Sequence, residues 1–335
     1  MAHEMPFGYN NLNFDYVWIL TADDFCASKI ENNMNIVLTG SVSHVGKPLT
    51  QELVGKGHSV TVITSKAERI KEIESLGATA AVGSMLDVHF LATTFQGADI
   101  VYLMETLDAV GGDFGDKDSD LIDAISQIGQ NYKQAVLEAG INQIVHLSSI
   151  GAHMKKGNGF LQFHHNVETI LKQLPEEVSI KFMRPVGFYT NMFGFIRSIK
   201  TKGAIISNYG GDKKEPWVSP EDIAAAITEE MDKPFGGRNV RYVASDEVSP
   251  NEIAKALGNA IGKPDLQWQV ISDEQLLNGW IKGGFNPQIA RGFVEMQASQ
   301  RSGLLYEDYY LNKPTLGKVK LDSFAIQFAV AYHAE

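Results

Sequence analysis

Gly40, Ser43 and Gly46 are evenly spaced and stand directly after a short apolar run, Asn35 to Thr39. Such a spacing suits a backbone cradle for a pyrophosphate. Glycines let the main chain approach the ligand, and the helix that follows offers free N–H groups and a partial positive charge at its N-terminus. Ser41, His44 and Val45 supply the rest of the turn. An ordinary strand-to-helix turn, with glycines for tight packing, is the plain alternative. The next β-rich run ends at Thr64, Ser65 and Lys66, with Arg69 one turn further on. An acid at this place would hold a ribose hydroxyl and repel a 2′-phosphate. Two hydroxyls and an ammonium suit the phosphate instead, which favours NADP(H) and leaves NAD(H) open. Lys66 equally reads as a solvated charge. Ser84, Met85 and Asp87 fall where an adenine ring would rest, and Asp87 equally suits a helix N-cap. Met104 and Ser148, at the ends of two further strands, complete the cofactor-binding set.

Further along, His164 and His165 form a pair able to donate a proton near neutral pH, unless one packs under the sheet edge and the other is solvated. Glu168 has the i+4 spacing for an ion pair with Lys172. Arg184 suits an acidic substrate or the carbonyls of a strand end. Phe188, Tyr189 and Trp217, with Asn191 nearby, would stack on a flat substrate ring or belong to the core.

These residues need a frame, and the chain alternates strand and helix signals from Asn35 to about Pro185. Strands are expected at 35–39, 58–63, 79–83, 99–104, 143–147 and 178–183. A helix over 121–139 should end at Gly140, and Val167 to Leu174 lies on another. Alternation of this kind makes an α/β protein with a doubly wound parallel sheet, whose ligands lie beyond the carboxyl ends of the strands. After Pro185 the pattern changes. Helices are expected from about Asp222 and from Pro250, each introduced by a Ser-Pro pair, with a strand at 240–244 between them. Residues 265–335 read as a smaller helical lobe. The expected division is an extension at 1–33, a dinucleotide-binding core at 34–190 and a substrate-side lobe at 191–335, some of whose segments return to the core sheet.

Composition narrows the function. The chain has 335 residues, 44% hydrophobic and 21% charged, as in a soluble globular protein. No apolar run approaches the roughly 20 residues that span a bilayer. A net charge of −11 argues against nucleic acid as a main partner. The single cysteine, Cys26, fits a reducing cytoplasm and leaves no cluster for zinc. Residues 1–33 lack the charge and apolar pattern of a signal peptide. They read as an extension before Met34, or as a flap packing through Phe14 and Trp18. The Gly- and Asp-rich stretch 111–120 reads as a loop near the site rather than a calcium loop. The expected partner is a small-molecule substrate, with no nucleic acid, no membrane and no metal; a homodimer stays open.

The chain resembles the NmrA-like branch of the atypical short-chain dehydrogenase/reductase superfamily. The segments NIVLTGSVSHVG, IVHLSSIGA, MRPVGFYTNMF, WVSPEDIAAA and NKPTLGKVKLDSFA carry the resemblance from 34 to about 330. It implies a Rossmann domain for NAD(P)(H) closed by a smaller C-terminal lobe. Ser43 in place of the middle glycine, and Lys66 where an arginine is frequent, depart from the pattern. Active members of the superfamily often use a Tyr-x-x-x-Lys pair; here His164 takes the place of the tyrosine and Glu168 that of the lysine. Ser149 matches the substrate-orienting serine. The catalytic expectation therefore rests on Ser149 and His164. The activity implied is NADPH-dependent reduction of a small planar electrophile, quinone-like, and its rival is a non-catalytic NADP(H) sensor acting through a protein partner.

Overall fold

The computed structural model describes residues 33–116 and 120–334. The expectations on Phe14, Trp18, Cys26 and the extension lie outside the described residues. Twelve strands appear among them: β1 Asn35–Leu38, β2 Ser59–Thr64, β3 Thr79–Val82, β4 Ile100–Leu103, β5 Gln143–Leu147, β6 Ser179–Pro185, β7 Gly187–Phe188, β8 Ala204–Ser207, β9 Glu215–Val218, β10 Arg238–Val243, β11 Asp246–Val248 and β12 Gln267–Val270. The helices among the described residues are α1 Gly46–Gly55, α2 Ile70–Ser75, α3 Val88–Phe95, α4 Leu121–Ala139, α5 Gln162–Leu171, α6 Ile196–Lys202, α7 Pro220–Asp232, α8 Pro250–Ala260, α9 Asp273–Lys282, α10 Pro287–Ser302, α11 Glu307–Leu311 and α12 Leu321–Ala334.

Seven strands form one sheet in the order β10-β6-β5-β4-β1-β2-β3, and every pairing is parallel. The order reverses between β1 and β4, which opens a crevice for a ligand at their carboxyl ends. Alternation along each strand feeds two cores. Ile36 and Leu38 pack with Leu49 and Leu53 of α1 and Ile223 and Ile227 of α7. Val37 faces the other way, toward Phe95 of α3 and Tyr132 of α4. The sheet is therefore covered on both sides, as its continuous apolar strands require.

Helix boundaries follow local chemistry. Gly140 takes φ 67° and closes α4 at the expected residue. The hydroxyls of Ser219 and Ser249 cap α7 and α8, with proline at the first helical position in each. Segment 220–243 returns to the core: α7 packs beside α1, and β10 extends the sheet next to β6. The rest of the C-terminal half carries two small sheets, β11-β9-β7 and β12-β8, with α6, α8 and α12 packed around a separate apolar cluster and α9–α11 beside them. No described helix is long and apolar enough to cross a membrane.

Candidate functional site

The crevice begins where β1 ends. Thr39 accepts a hydrogen bond at its Oγ1 from the Met104 amide at 2.8 Å, tying the ends of β1 and β4 together. The chain then turns through Gly40 at φ 87° and Ser41 at φ 58°, the one non-glycine with positive φ among the described residues. Ser41 is held there twice. Its amide donates to the Ile63 carbonyl at 3.1 Å, and its hydroxyl donates to Thr64 Oγ1 at 3.1 Å. A Cβ at Gly46 would sit 2.0 Å from the Ser41 carbonyl oxygen, and one at Gly40 would sit 2.2 Å from Met104 Sδ. Both glycines are thus required by the turn's own close packing as well as by any ligand above it. No side chain caps α1 and no acid stands in its first turn, so its N-terminus faces the crevice uncovered. Ser43 is half-buried, His44 is exposed, and Val45 is buried as a core residue, leaving only its backbone for a ligand.

At the end of β2, Thr64 Oγ1 accepts from the Lys66 amide at 3.2 Å. Arg69 Nη1 donates to Ser41 Oγ at 3.4 Å, so its guanidinium lies against the glycine turn. Ser65 and Lys66 are exposed, and the Lys66 ammonium is 3.6 Å from Asp108. Ser84 accepts from the Leu86 amide at 3.1 Å in a local turn, and Asp87 caps α3 through Phe90 at 3.0 Å. Asp87 is therefore an N-cap.

The far side of the crevice corrects several expectations. Ser148 is buried and its hydroxyl donates to Glu168 Oε1 at 2.7 Å, so that group is consumed inside the fold rather than offered to a cofactor. Glu168 does pair with Lys172, at 2.8 Å, but its main partner is Arg184, which grips both carboxylate oxygens at 2.8 and 2.7 Å. Burial works to raise the Glu168 pKa; the hydrogen bonds and charge of Arg184, helped by Lys172 and Ser148, outweigh it and hold the carboxyl at about 2. Arg184 neither awaits an acidic substrate nor caps carbonyls. It reaches on to Asp308 of α11 at 3.2 Å.

His164 stands on α5 against the ring of Phe163, with its Nδ1 buried and unpartnered. Burial, then the neighbouring His146, lowers it to about 3, so the imidazole is neutral at physiological pH and is no reservoir of an acidic proton. His165 is tied by Nδ1 to the Ala152 carbonyl at 2.9 Å. Ser149, by contrast, is only half-buried at the end of β5, and among the described residues its hydroxyl has no partner. Tyr189 is fully buried and stacks on Phe324 at 5.3 Å, and Trp217 lies under Gly187 with 4% exposure. Both belong to the core of the C-terminal half, as their bulk and apolar neighbours dictate, and Tyr189 together with Phe324 also borders a cleft. Phe188 is half-buried and Asn191 exposed.

Other groups were not visible from local pattern. Glu105 and His146 form a wholly buried pair at 3.1 Å beside the ends of β4 and β5. An aromatic set, Phe114, Phe160, Phe285, Phe293 and Trp280, joins the loop after β4 to α9 and α10. A cleft of ≈ 140 Å³ lies between His44, Thr190, Phe193, Glu221 and Gln327. Only the aromatic content of these segments hinted at any of this.

Relatives place the fold. Residues 32–307 match the model of the NmrA-like family. No curated protein matches this sequence. An NADPH-dependent quinone oxidoreductase from Escherichia coli, solved with NADPH, has 16% identity over 87% of this chain and 99% of its own, with a TM-score of 0.66. Citrobacter sp. triphenylmethane reductase complexed with NADP(H) has 18% identity over 88% and 99%, with a TM-score of 0.66. A nucleoside-diphosphate-sugar epimerase from Staphylococcus aureus has 14% identity over 88% and 100%, with a TM-score of 0.68. At these identities the likeness is one of architecture, a Rossmann-type parallel sheet. The family match spans the glycine turn, the strand ends and most of the C-terminal half, and the chain belongs to the NmrA-like family.

Proposed function

We propose that this protein binds a nicotinamide dinucleotide, NADP(H) in preference to NAD(H), and passes its hydride to a small flat electrophile of the quinone kind. The observation that carries the reading is the Gly40–Gly46 turn, packed against an uncapped helix N-terminus at the point where the strand order reverses. Arg69 and Ser41 beside Thr64 suit a 2′-phosphate. The two reductases of similar architecture were solved with NADPH and with NADP(H). The core would span 34–190 and the substrate-side lobe 191–335.

When bound, the cofactor would supply the hydride, and the chain's residues would bind, orient and exclude water. The turn and α1 would hold the pyrophosphate. Ser149, with its free hydroxyl, would hydrogen-bond the acceptor oxygen. His164, being neutral, would offer at most a hydrogen bond. General acid help is worth about 10²–10⁴-fold, so an acceptor that spreads its developing charge over a ring suffers least without it.

The same features favour a second reading, a cofactor sensor without turnover. Ser148 is locked to Glu168 and Glu168 to Arg184, and His164 is neutral. One experiment separates the two: loss of NADPH absorbance in the presence of quinones, aldehydes and imines. Turnover of quinones with none of simple ketones supports the reductase. Tight NADPH binding with no oxidation of the cofactor by any acceptor would replace it with the sensor.

A further inference from the structure

We propose that Asp108 is a latch on the dinucleotide crevice that a 2′-phosphate opens and a 2′-hydroxyl does not. This rests on the cofactor reading above. Lys66 follows β2 and Asp108 follows β4, and β1 lies between those two strands. Their contact at 3.6 Å therefore bridges the carboxyl end of β1, above the turn where the dinucleotide would lie.

The backbone at both ends of the bridge is fixed. Lys66 is positioned by its amide N–H, which donates to Thr64 Oγ1, and by its carbonyl, which accepts from the Arg69 amide at 3.1 Å. Asp108 sits in a short turn, Leu107–Val110, capped by Thr106 through the Ala109 amide at 3.2 Å. Leu107 and Val110 pack against Leu121, Ile125 and Phe160, which anchors that turn. The carboxylate is thus presented to Lys66 by a held segment.

An ion pair exposed by 47% and 78% at its two side chains is weak and exchanges readily. A phosphate beside Lys66 carries more charge than a carboxylate and would take the ammonium from Asp108. Asp108 thus competes with that phosphate for the same ammonium. A ribose hydroxyl has no claim on Lys66, and the bridge stays closed over it. Asp108 so moderates the preference for the phosphorylated cofactor, although it lies on another strand's loop from the usual acid at the end of β2.

The test is titration of NADPH and NADH, by nicotinamide fluorescence, against the full chain, Asp108→Asn, Lys66→Met and the double variant. Freeing Lys66 from this exposed pair should tighten NADPH about fivefold and leave NADH within about twofold. In the Lys66→Met background the same substitution should gain less. An unchanged NADPH-to-NADH ratio in Asp108→Asn, an equal gain for both cofactors, or an undiminished gain without Lys66 overturns the latch. Failure of the parent to bind either dinucleotide overturns the cofactor reading and the latch together, so the two failures are told apart.

Discussion

Arg184 holds Glu168 through two parallel hydrogen bonds, Nε to Oε1 at 2.8 Å and Nη2 to Oε2 at 2.7 Å, with both side chains almost fully buried. Glu168 is therefore used for cohesion. The ion pair ties α5 to β6, and through Asp308 it ties both to α11. Removing Arg184 leaves the buried Glu168 carboxylate with only Lys172 and Ser148 as partners, which costs up to about 3–5 kcal/mol. Arg184→Met should therefore lower the melting temperature sharply, and the double variant Arg184→Met/Glu168→Met should recover part of the loss. A parent-like melting temperature for the single variant would show that solvent reaches the pair.

Acid should probe the same pair. The Glu168 carboxyl ordinarily titrates at 4.5 and is held at about 2 in the fold. A depressed carboxylate pKa stabilises the fold above its unfolded value, and the contribution is lost as pH falls from 4.5 toward 2. Chemical unfolding across that range should show a steeper decline for the parent than for Glu168→Gln. Parallel curves would refute the assignment.

A neutral His164 makes a kinetic prediction. Because burial holds it at about 3, no catalytic step should depend on its protonation near neutrality. Quinone reduction, measured as kcat/KM, should carry no inflection near pH ~6.5, the ordinary range of histidine. A bell with an arm near that value that vanishes in His164→Gln would restore the histidine as an acid.

Gly46 illustrates what could be read in the sequence and why. Its place in a strand–turn–helix segment was visible because the signal is local, and the same holds for α4 ending at Gly140 and Asp87 capping α3. The reason for the glycine was only half visible. A Cβ there would meet the Ser41 carbonyl at 2.0 Å, so bulk damages the turn itself before it meets any ligand. Gly46→Val should abolish cofactor binding and also cost about 1–3 kcal/mol in stability, read by urea unfolding. Lost binding with wholly unchanged stability would mean that the turn relaxes. What could not be read were meetings of distant segments, such as Arg184 with Asp308 across 124 positions, and the burial of Tyr189 under Phe324. Periodicity reports which face of an element is apolar but not what covers it. Strands as short as β7 carry too few residues for any period.

Glu215 carries the last prediction. It lies on β9 with 4% exposure, and its closest polar partner is the Tyr306 hydroxyl at 3.4 Å, itself hydrogen-bonded by Gln300 at 3.1 Å. Among the described residues no cation pairs with it directly. Burial raises its pKa from 4.5 to about 7, against smaller opposing effects of Tyr306 and Lys213. A raised carboxyl pKa means that the fold keeps a proton the unfolded chain releases. The associated stability is complete below 4.5 and is lost as pH rises toward 7, after which it stays lost. The shift corresponds to about 3 kcal/mol. Glu215→Gln stays neutral, keeps a carbonyl to accept from Tyr306, and should equal the parent near pH ~4 while exceeding it in stability near pH ~8. Denaturant unfolding at the two values checks this. A glutamine variant less stable than the parent at the higher value would mean that the ionised carboxylate finds a stabilising partner, and the raised pKa would be wrong.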